Sequence, residues 1–225
     1  MPRPAARLRR QKPDSYHHGD LRRALIDATC LLIEEGGLEA VTVRAAAKRA
    51  GVSPGAPFRH FASRSALLTA VAEEATRRLH AAVFAAIARP PADDPLARLR
   101  AMGIAYFRWV MANPTYFAIV STRSLIDWDA SATLERDNEA IRAEMDRLLT
   151  AARAAGLLRF DDVARMQLAA RALVYGLGRM YVDGHFAQWL PRARSREAAM
   201  RAVLDLFLAG LRRTPPAGVK RRRVR

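Results

Sequence analysis

The chain has 225 residues, a single cysteine and a formal charge of +16, enough for one small and one medium domain with a real core. Cys30 can close no intramolecular disulfide, no uncharged apolar run approaches the ~20 residues of a membrane span, and the arginine-rich start lacks the apolar stretch of a secretion signal; a soluble cytoplasmic protein is expected. Residues 1–12 carry +5 (Arg3, Arg7, Arg9, Arg10, Lys12) and residues 212–225 carry +7, neither with an acid, so the body between them carries only +4, a distribution suited to a polyanionic partner.

Apolar residues recur at three-and-four spacing and nowhere alternate for long, so the fold is expected to be all-α. In the first helix Leu21, Leu25, Ala28 and Leu32 share a face with Ala24 and Leu31 beside them, Asp20 as N-cap and Gly36-Gly37 as the stop. The next segment, residues 42–50 (T-V-R-A-A-A-K-R-A), is short and amphipathic, and Ala46, Ala47 and Ala50 would let another helix cross it closely. Gly51 supplies the positive φ that stops it, Val52 is the apolar plug of a turn, and Ser53-Pro54 reads as N-cap and first residue of a new helix. Two short helices joined through such a turn place a recognition helix in the major groove. Pro57 falls at the fourth helical position, where its missing N–H forfeits the first intrahelical bond and predicts an irregular but intact helix.

Further along, Ser63 caps a long helix to about Ala88, ended by Pro90-Pro91 and the cluster Asp93-Asp94-Pro95. From Pro95, positions Leu96, Leu99, Gly103, Tyr106 and Val110 step by three and four until Asn113-Pro114. A segment over residues 115–128 follows. Ser131 then caps a helix with Leu134, Ile141, Met145, Leu148 and Ala152 inward, ended by Gly156. From Asp162 to about Asp183 the only charged interior positions are Arg165, Arg171 and Arg179, which leaves an apolar arc too wide for one packing face. The final helix, capped by Ser195 with Glu197 in its first turn, is equally rich in apolar positions, and this surplus predicts a homodimer interface, with the core of a monomer as the alternative.

Residues 16–68 resemble the N-terminal DNA-binding domain of the tetracycline-repressor (TetR) family of bacterial transcriptional regulators. Four parts match in order: L-R-R-A-L-I-D-A-T-C-L-L-I-E-E-G-G at 21–37, L-E-A-V-T-V-R-A-A-A-K-R-A-G-V-S at 38–53, G-A-P-F-R-H-F at 55–61 and A-S-R-S-A-L-L at 62–68. Residues 174–184, V-Y-G-L-G-R-M-Y-V-D-G, are similar to one C-terminal subtype, with Val174, Tyr175 and Gly176 where that subtype often has Trp-His-Gly. The resemblance implies a basic arm over 1–15 and a helix-turn-helix domain over 16–63. A helical ligand-binding and dimerisation domain over 64–213 and a basic tail over 214–225 complete it.

The resemblance also implies roles. Thr42 and Arg44 sit at the start of the first motif helix against the DNA backbone, and Lys48 meets a further phosphate. Ser53, Gly55, Ala56, Arg59 and His60 face DNA while Val52 and Phe61 pack inward. Phe58 stands where tyrosine is commoner, so no phenolic hydroxyl meets a phosphate there. Arg64 takes the place of a lysine near a phosphate. Arg59 is the candidate for a bidentate guanine contact, with a plain phosphate contact as the alternative, and the N-terminal arm is a candidate for a neighbouring minor groove.

In the larger domain Tyr106, Trp109, Tyr116, Phe117, Trp128, Met145, Tyr175, Met180 and Tyr181 are candidates for an effector cavity, because aromatic and methionine side chains suit adaptable apolar pockets. Plain core packing is the alternative for each. Arg108, Arg123 and His185 are candidate polar anchors. No catalytic residue, metal site or cofactor is expected: His17-His18, His60, His80, His185 and Cys30 show no metal-ligand spacing, and no nucleophile motif is present. The expected partners are double-stranded DNA, a small-molecule effector and a second copy of the chain, with no membrane. The competing reading is a helical adaptor that grips nucleic acid or anionic surfaces non-specifically through its basic tails.

Overall fold

A computed structural model describes residues 18–91, 93–189 and 195–213; the basic arm and the basic tail of the sequence lie outside them. The chain divides into two compact units between Leu67 and Leu68.

The first unit holds α1 (His18–Gly36), a 3₁₀ turn over Leu38–Ala40, α2 (Val43–Arg49), a second 3₁₀ turn over Ala56–Arg59 and the first residues of α3 (Arg64–Ile87). The backbone is already helical at His18, so Asp20 lies inside α1 and not ahead of it as a cap. Gly37 ends α1 at φ 71°, its amide donating to the Ile33 carbonyl at 2.8 Å, in the left-handed region a side chain would strain. Thr42 caps α2 by accepting from the Ala45 amide at 2.9 Å. The α1 side chains Leu25, Ile26 and Ala28 are buried, as are Val43, Ala46 and Ala47 of α2, and the two helices pack together. Leu31, expected beside the inward face, is exposed.

The segment after the Gly51 turn departs from expectation. An α-helix from Ser53 does not form; the helical stretch is one 3₁₀ turn over Ala56–Arg59. Pro57 has no amide hydrogen, so the 57-to-53 bond that would begin an α-ladder is impossible. Ala56 N instead takes the Ser53 carbonyl at 3.1 Å, and His60 N and Phe61 N share the Pro57 carbonyl at 2.8 Å each. The proline ring is itself buried.

Arg64, expected at a phosphate, points back into the protein. Its Nε donates to the Val41 carbonyl at 2.9 Å and its Nη2 to the Leu38 carbonyl at 2.7 Å. One guanidinium thus ties together two carbonyls of the α1–α2 connection, of which Leu38 also accepts from the Val41 amide at 3.2 Å.

The second unit contains the remainder of α3 together with α4 (Pro95–Ala112), α5 (Pro114–Val120), α6 (Ala132–Ala154), α7 (Val163–Val182), α8 (Phe186–Trp189) and α9 (Arg196–Leu211). Asp94, Ser131, Asp162 and Ser195 cap α4, α6, α7 and α9, each accepting from the amide three residues on. The segment after Pro114 is shorter than expected: Ser121 and Thr122 turn their hydroxyls onto the Ala118 carbonyl, at 3.2 and 2.8 Å, and α5 stops at Val120.

Helix α4 is the hub, packing against α5, α6, α7 and α9. Phe107 and Val110 at its centre are fully buried. Gly103 lets α9 come close, since a Cβ there would lie 2.7 Å from Leu204 Cδ2. Arg100 forks onto Asp205 across the same pair, at 2.5 and 2.9 Å, and holds that carboxyl below the usual carboxylate range. The end of α9 is tied to the α6–α7 loop by Arg159 N to Leu211 O and Arg213 N to Leu157 O, at 3.0 and 2.8 Å.

Phe107→Ala should cost ~3–5 kcal/mol of stability, measured as a lowered urea midpoint at unchanged slope. Arg64→Ala takes the guanidinium donor from the Val41 carbonyl and one of two donors from the Leu38 carbonyl, and should cost ~1–3 kcal/mol. Arg64→Lys should recover only part of that in the same assay, because an ammonium cannot reproduce the planar fork.

Candidate functional site

Burial separates the helix-turn-helix residues into two sets. Pro57 and Phe61 are inside and Val52 is half-buried, whereas Ser53, Gly55, Phe58 and Arg59 are exposed and Ala56 and His60 half-exposed. Thr42, Arg44 and Lys48 are exposed at the start and along the outer side of α2. The Arg22 guanidinium lies 5.8 Å above the Phe61 ring, covering the inward anchor from the other side.

This gives the turn two properties suited to reading a duplex. Its backbone is pinned by buried side chains, and what projects is a mixed set: a guanidinium, a hydroxyl, an imidazole and an aromatic ring. Arginine offers the fork that fits guanine or a phosphate, and an exposed phenyl suits the thymine methyl or sugar edge.

In the second unit a cavity of about 180 Å³ lies among α3, α4, α6, α7 and α9. Leu99, Met102, Met145, Val174, Leu204 and Leu208 give it apolar walls, and Asn138, Arg142, Gln167 and Arg171 bring polar groups. Tyr106 also lines it; burial pushes its phenol pKa up, and the Arg171 guanidinium opposes that rise.

Of the expected cavity residues, Tyr106 and Met145 are at this wall. The others are elsewhere. Phe117 fills the core edge-on to Tyr106, with ring centres 6.3 Å apart, and Tyr175 donates to the Ser121 carbonyl at 3.2 Å. Tyr116 lies under Arg78, Trp128 under Arg123 and Tyr181 under Arg196. Met180 is half-buried outside the cavity lining. Trp109 lines a separate, more open groove with Ala82, Arg89 and Ala105.

The expected anchors do not reach the cavity either. Arg108 pairs with Glu197 at 2.9 Å, Arg123 with Asp129 at 3.3 Å, and His185 is exposed. Sequence reading missed the aliphatic walls because an aliphatic residue at helical spacing looks the same in a cavity and in a packed core. Arg171 was visible as a charge within an apolar helix.

The larger unit also exposes two leucines on adjacent helices, Leu168 on α7 at 69% and Leu206 on α9 at 74%, well above the 38% of Leu157 in the α6–α7 loop. Small exposed residues surround them: Ala169 and Ala172 on α7, Ala202, Ala209 and Gly210 on α9. The two helices pack on one another, and exposed apolar side chains of this kind suit a second protein surface.

Among the described residues no helix is long and apolar enough to cross a membrane.

The family described as "Bacterial regulatory proteins, tetR family" matches residues 25–71, and the "Tetracyclin repressor-like, C-terminal domain" matches residues 99–207. The chain is 34% identical over 149 residues to the HTH-type transcriptional repressor KstR of Rhodococcus jostii, a match covering 66% of each chain. It is 32% identical over 205 residues to the HTH-type transcriptional regulator BetI of Burkholderia pseudomallei, covering 89% of this chain and 87% of that one. A solved structure of a protein of unknown function from Rhodococcus sp. RHA1 superposes with a TM-score of 0.74 at 30% identity, over 89% of this chain and 100% of that one. With both units matched, and a regulator of this type aligned along nearly its full length, the chain belongs to the TetR family of helix-turn-helix transcriptional regulators.

Proposed function

We propose that this protein is a homodimeric repressor that binds a pseudo-palindromic operator and is released from it by a small-molecule effector, without a catalytic role. The observation that carries the reading is the Ala56–Arg59 turn, anchored by buried Pro57 and Phe61 and presenting Phe58 and Arg59 to solvent. Side chains held that way contribute base contacts at little entropic cost, because the backbone is already ordered.

A dimer follows from the face of α7 and α9. Burying Leu168 and Leu206 against a symmetry mate removes from water the two most exposed leucines among the described residues, and two-fold symmetry repeats the contact. Two copies then present two recognition turns to half-sites about 34–36 Å apart. An effector releases the operator if it binds more tightly to a dimer geometry with a different spacing. Repression, and not activation, is the sense carried by the name of the KstR relative.

In gel shifts on the duplex upstream of the protein's own gene, with unrelated competitor DNA, Arg59→Ala should weaken specific binding by ~1–3 kcal/mol and relax selectivity at one base pair per half-site. An equal loss on every duplex would assign Arg59 to phosphate. Salt-labile retention of all duplexes by the wild type would favour the adaptor reading. Leu206→Glu should sediment as a folded monomer, judged by unchanged circular dichroism, and lose operator binding; a dimer of wild-type affinity would place the interface elsewhere.

A further inference from the structure

The cavity of the second unit has one charge with no counterpart. Arg142 forks onto Glu139 at 2.6 and 2.5 Å, which leaves little net charge at that corner. Gln167 donates one N–H of its side-chain amide to the Arg142 carbonyl at 2.7 Å and carries no charge. Arg171 is different. Its guanidinium lies 5.5 Å from the centres of both the Tyr106 and the Tyr175 rings, and among the described residues no carboxylate pairs with it. The Tyr106 hydroxyl is also hydrogen-bonded to this guanidinium, but ring faces and a neutral phenol give the cation no acceptor of matching charge.

The geometry of α7 puts that guanidinium at the margin of the cavity. Gln167, Ala170, Arg171 and Val174 line the cavity, while Leu168, Ala169 and Ala172 are exposed. At 100° per residue Arg171 stands at the edge between these two arcs. Its stem follows the wall and its head reaches water, so the site is apolar in depth and positive at one side. The volume of about 180 Å³ is below the ~300–1,000 Å³ of pockets that take drug-sized ligands.

From this arrangement we infer that the cavity takes a small amphipathic carboxylate: an aliphatic body against Met102, Met145 and Leu204, and an anionic head in a bidentate contact with Arg171. The inference rests on the effector reading above and narrows it to one chemical class. A guanidinium matches the two oxygens of a carboxylate in one plane. A neutral alcohol of the same length keeps the apolar term and loses the charge-assisted one. A cationic homologue sets like charge against Arg171.

Isothermal titration calorimetry of the full chain with decanoate, 1-decanol and decyltrimethylammonium, each below its micellar concentration, tests this. Decanoate should bind about tenfold more tightly than decanol, with the cation weakest. Arg171→Gln, a change at an exposed position, should erase the preference for decanoate while leaving decanol affinity as it was. Ala170→Phe should fill the cavity and remove both. Equal affinity for decanoate and decanol, absent decanoate binding, or a preference that survives Arg171→Gln overturns the inference. Operator release separates it from the parent reading. Decanoate that binds through Arg171 but leaves the operator complex intact would sink the effector role and keep the ligand class. A wild type that binds its operator specifically and shows no preference for the anion would sink the ligand class and leave the regulator reading standing.

Discussion

A recognition element of one helical turn cannot hold itself together. Nucleating a turn fixes several dihedral angles for a single hydrogen bond, and short 3₁₀ stretches have poorer bond geometry than α-helices. In this chain Pro57 removes the bond that would have extended the turn, so the segment's local support is one turn's worth of short-range contacts, those of the Ala56, His60 and Phe61 amides among them. Its order therefore comes from side chains that face inward. Pro57 is buried, Phe61 is 3% exposed, and the Arg64 fork fixes the connection from which α2 departs. The outward set of Phe58 and Arg59 follows as a consequence: with the intervening side of the turn occupied by the core, these are the long side chains left pointing to solvent. Proline, a poor residue for an extended helix, is compatible with a motif that needs only one turn.

The same division of labour runs through the larger unit. Helix α4 meets four other helices, and Gly103 allows the approach of α9. The Arg100–Asp205 fork fixes the register of that pair, although its exposure makes it a minor contributor to stability. Where those helices diverge, the space between aliphatic walls stays open. The cavity is thus a by-product of how α4, α6, α7 and α9 are spaced, and only its polar rim needs particular residues.

How much of this could be read from the residues depends on how local each determinant is. The caps at Ser131 and Ser195 and the stops at Gly37, Gly51 and Gly156 were legible, because each is set by chemistry within four residues. The four-part match in the first unit was legible for the same reason. The early stop of α5, the short α8 and the loss of α-geometry after Ser53 were not, since each turns on competition between near-equal backbone options. The cavity was the least legible feature. Aromatic residues drew attention, yet Phe117, Tyr116 and Trp128 serve as core or as platforms for arginines, while Leu99 and Leu204, which do line it, carry no local mark. Arg64 shows the limit of carrying a role across by position alone, because its donors are engaged by Val41 and Leu38.

Helix α7 joins the two functions of the larger unit. One arc of it walls the cavity through Gln167, Ala170 and Val174, and the opposite arc exposes Leu168 and Ala172, on the face proposed for the second copy. A ligand that presses on the first arc alters where the second arc lies, with no loop or hinge between them, since both belong to one rigid cylinder of 20 residues. The demand on the ligand is quantitative. Moving a two-state equilibrium from 1:99 to 99:1 needs ~5.5 kcal/mol of differential affinity, and a symmetric dimer divides that between two identical cavities. A charge-assisted contact to Arg171 made in one geometry and not in the other is of the right order for one cavity's share. Apolar contacts alone, available in both geometries, would bind the ligand without shifting anything. On this argument the charge at the rim and not the volume of the chamber turns occupancy into release.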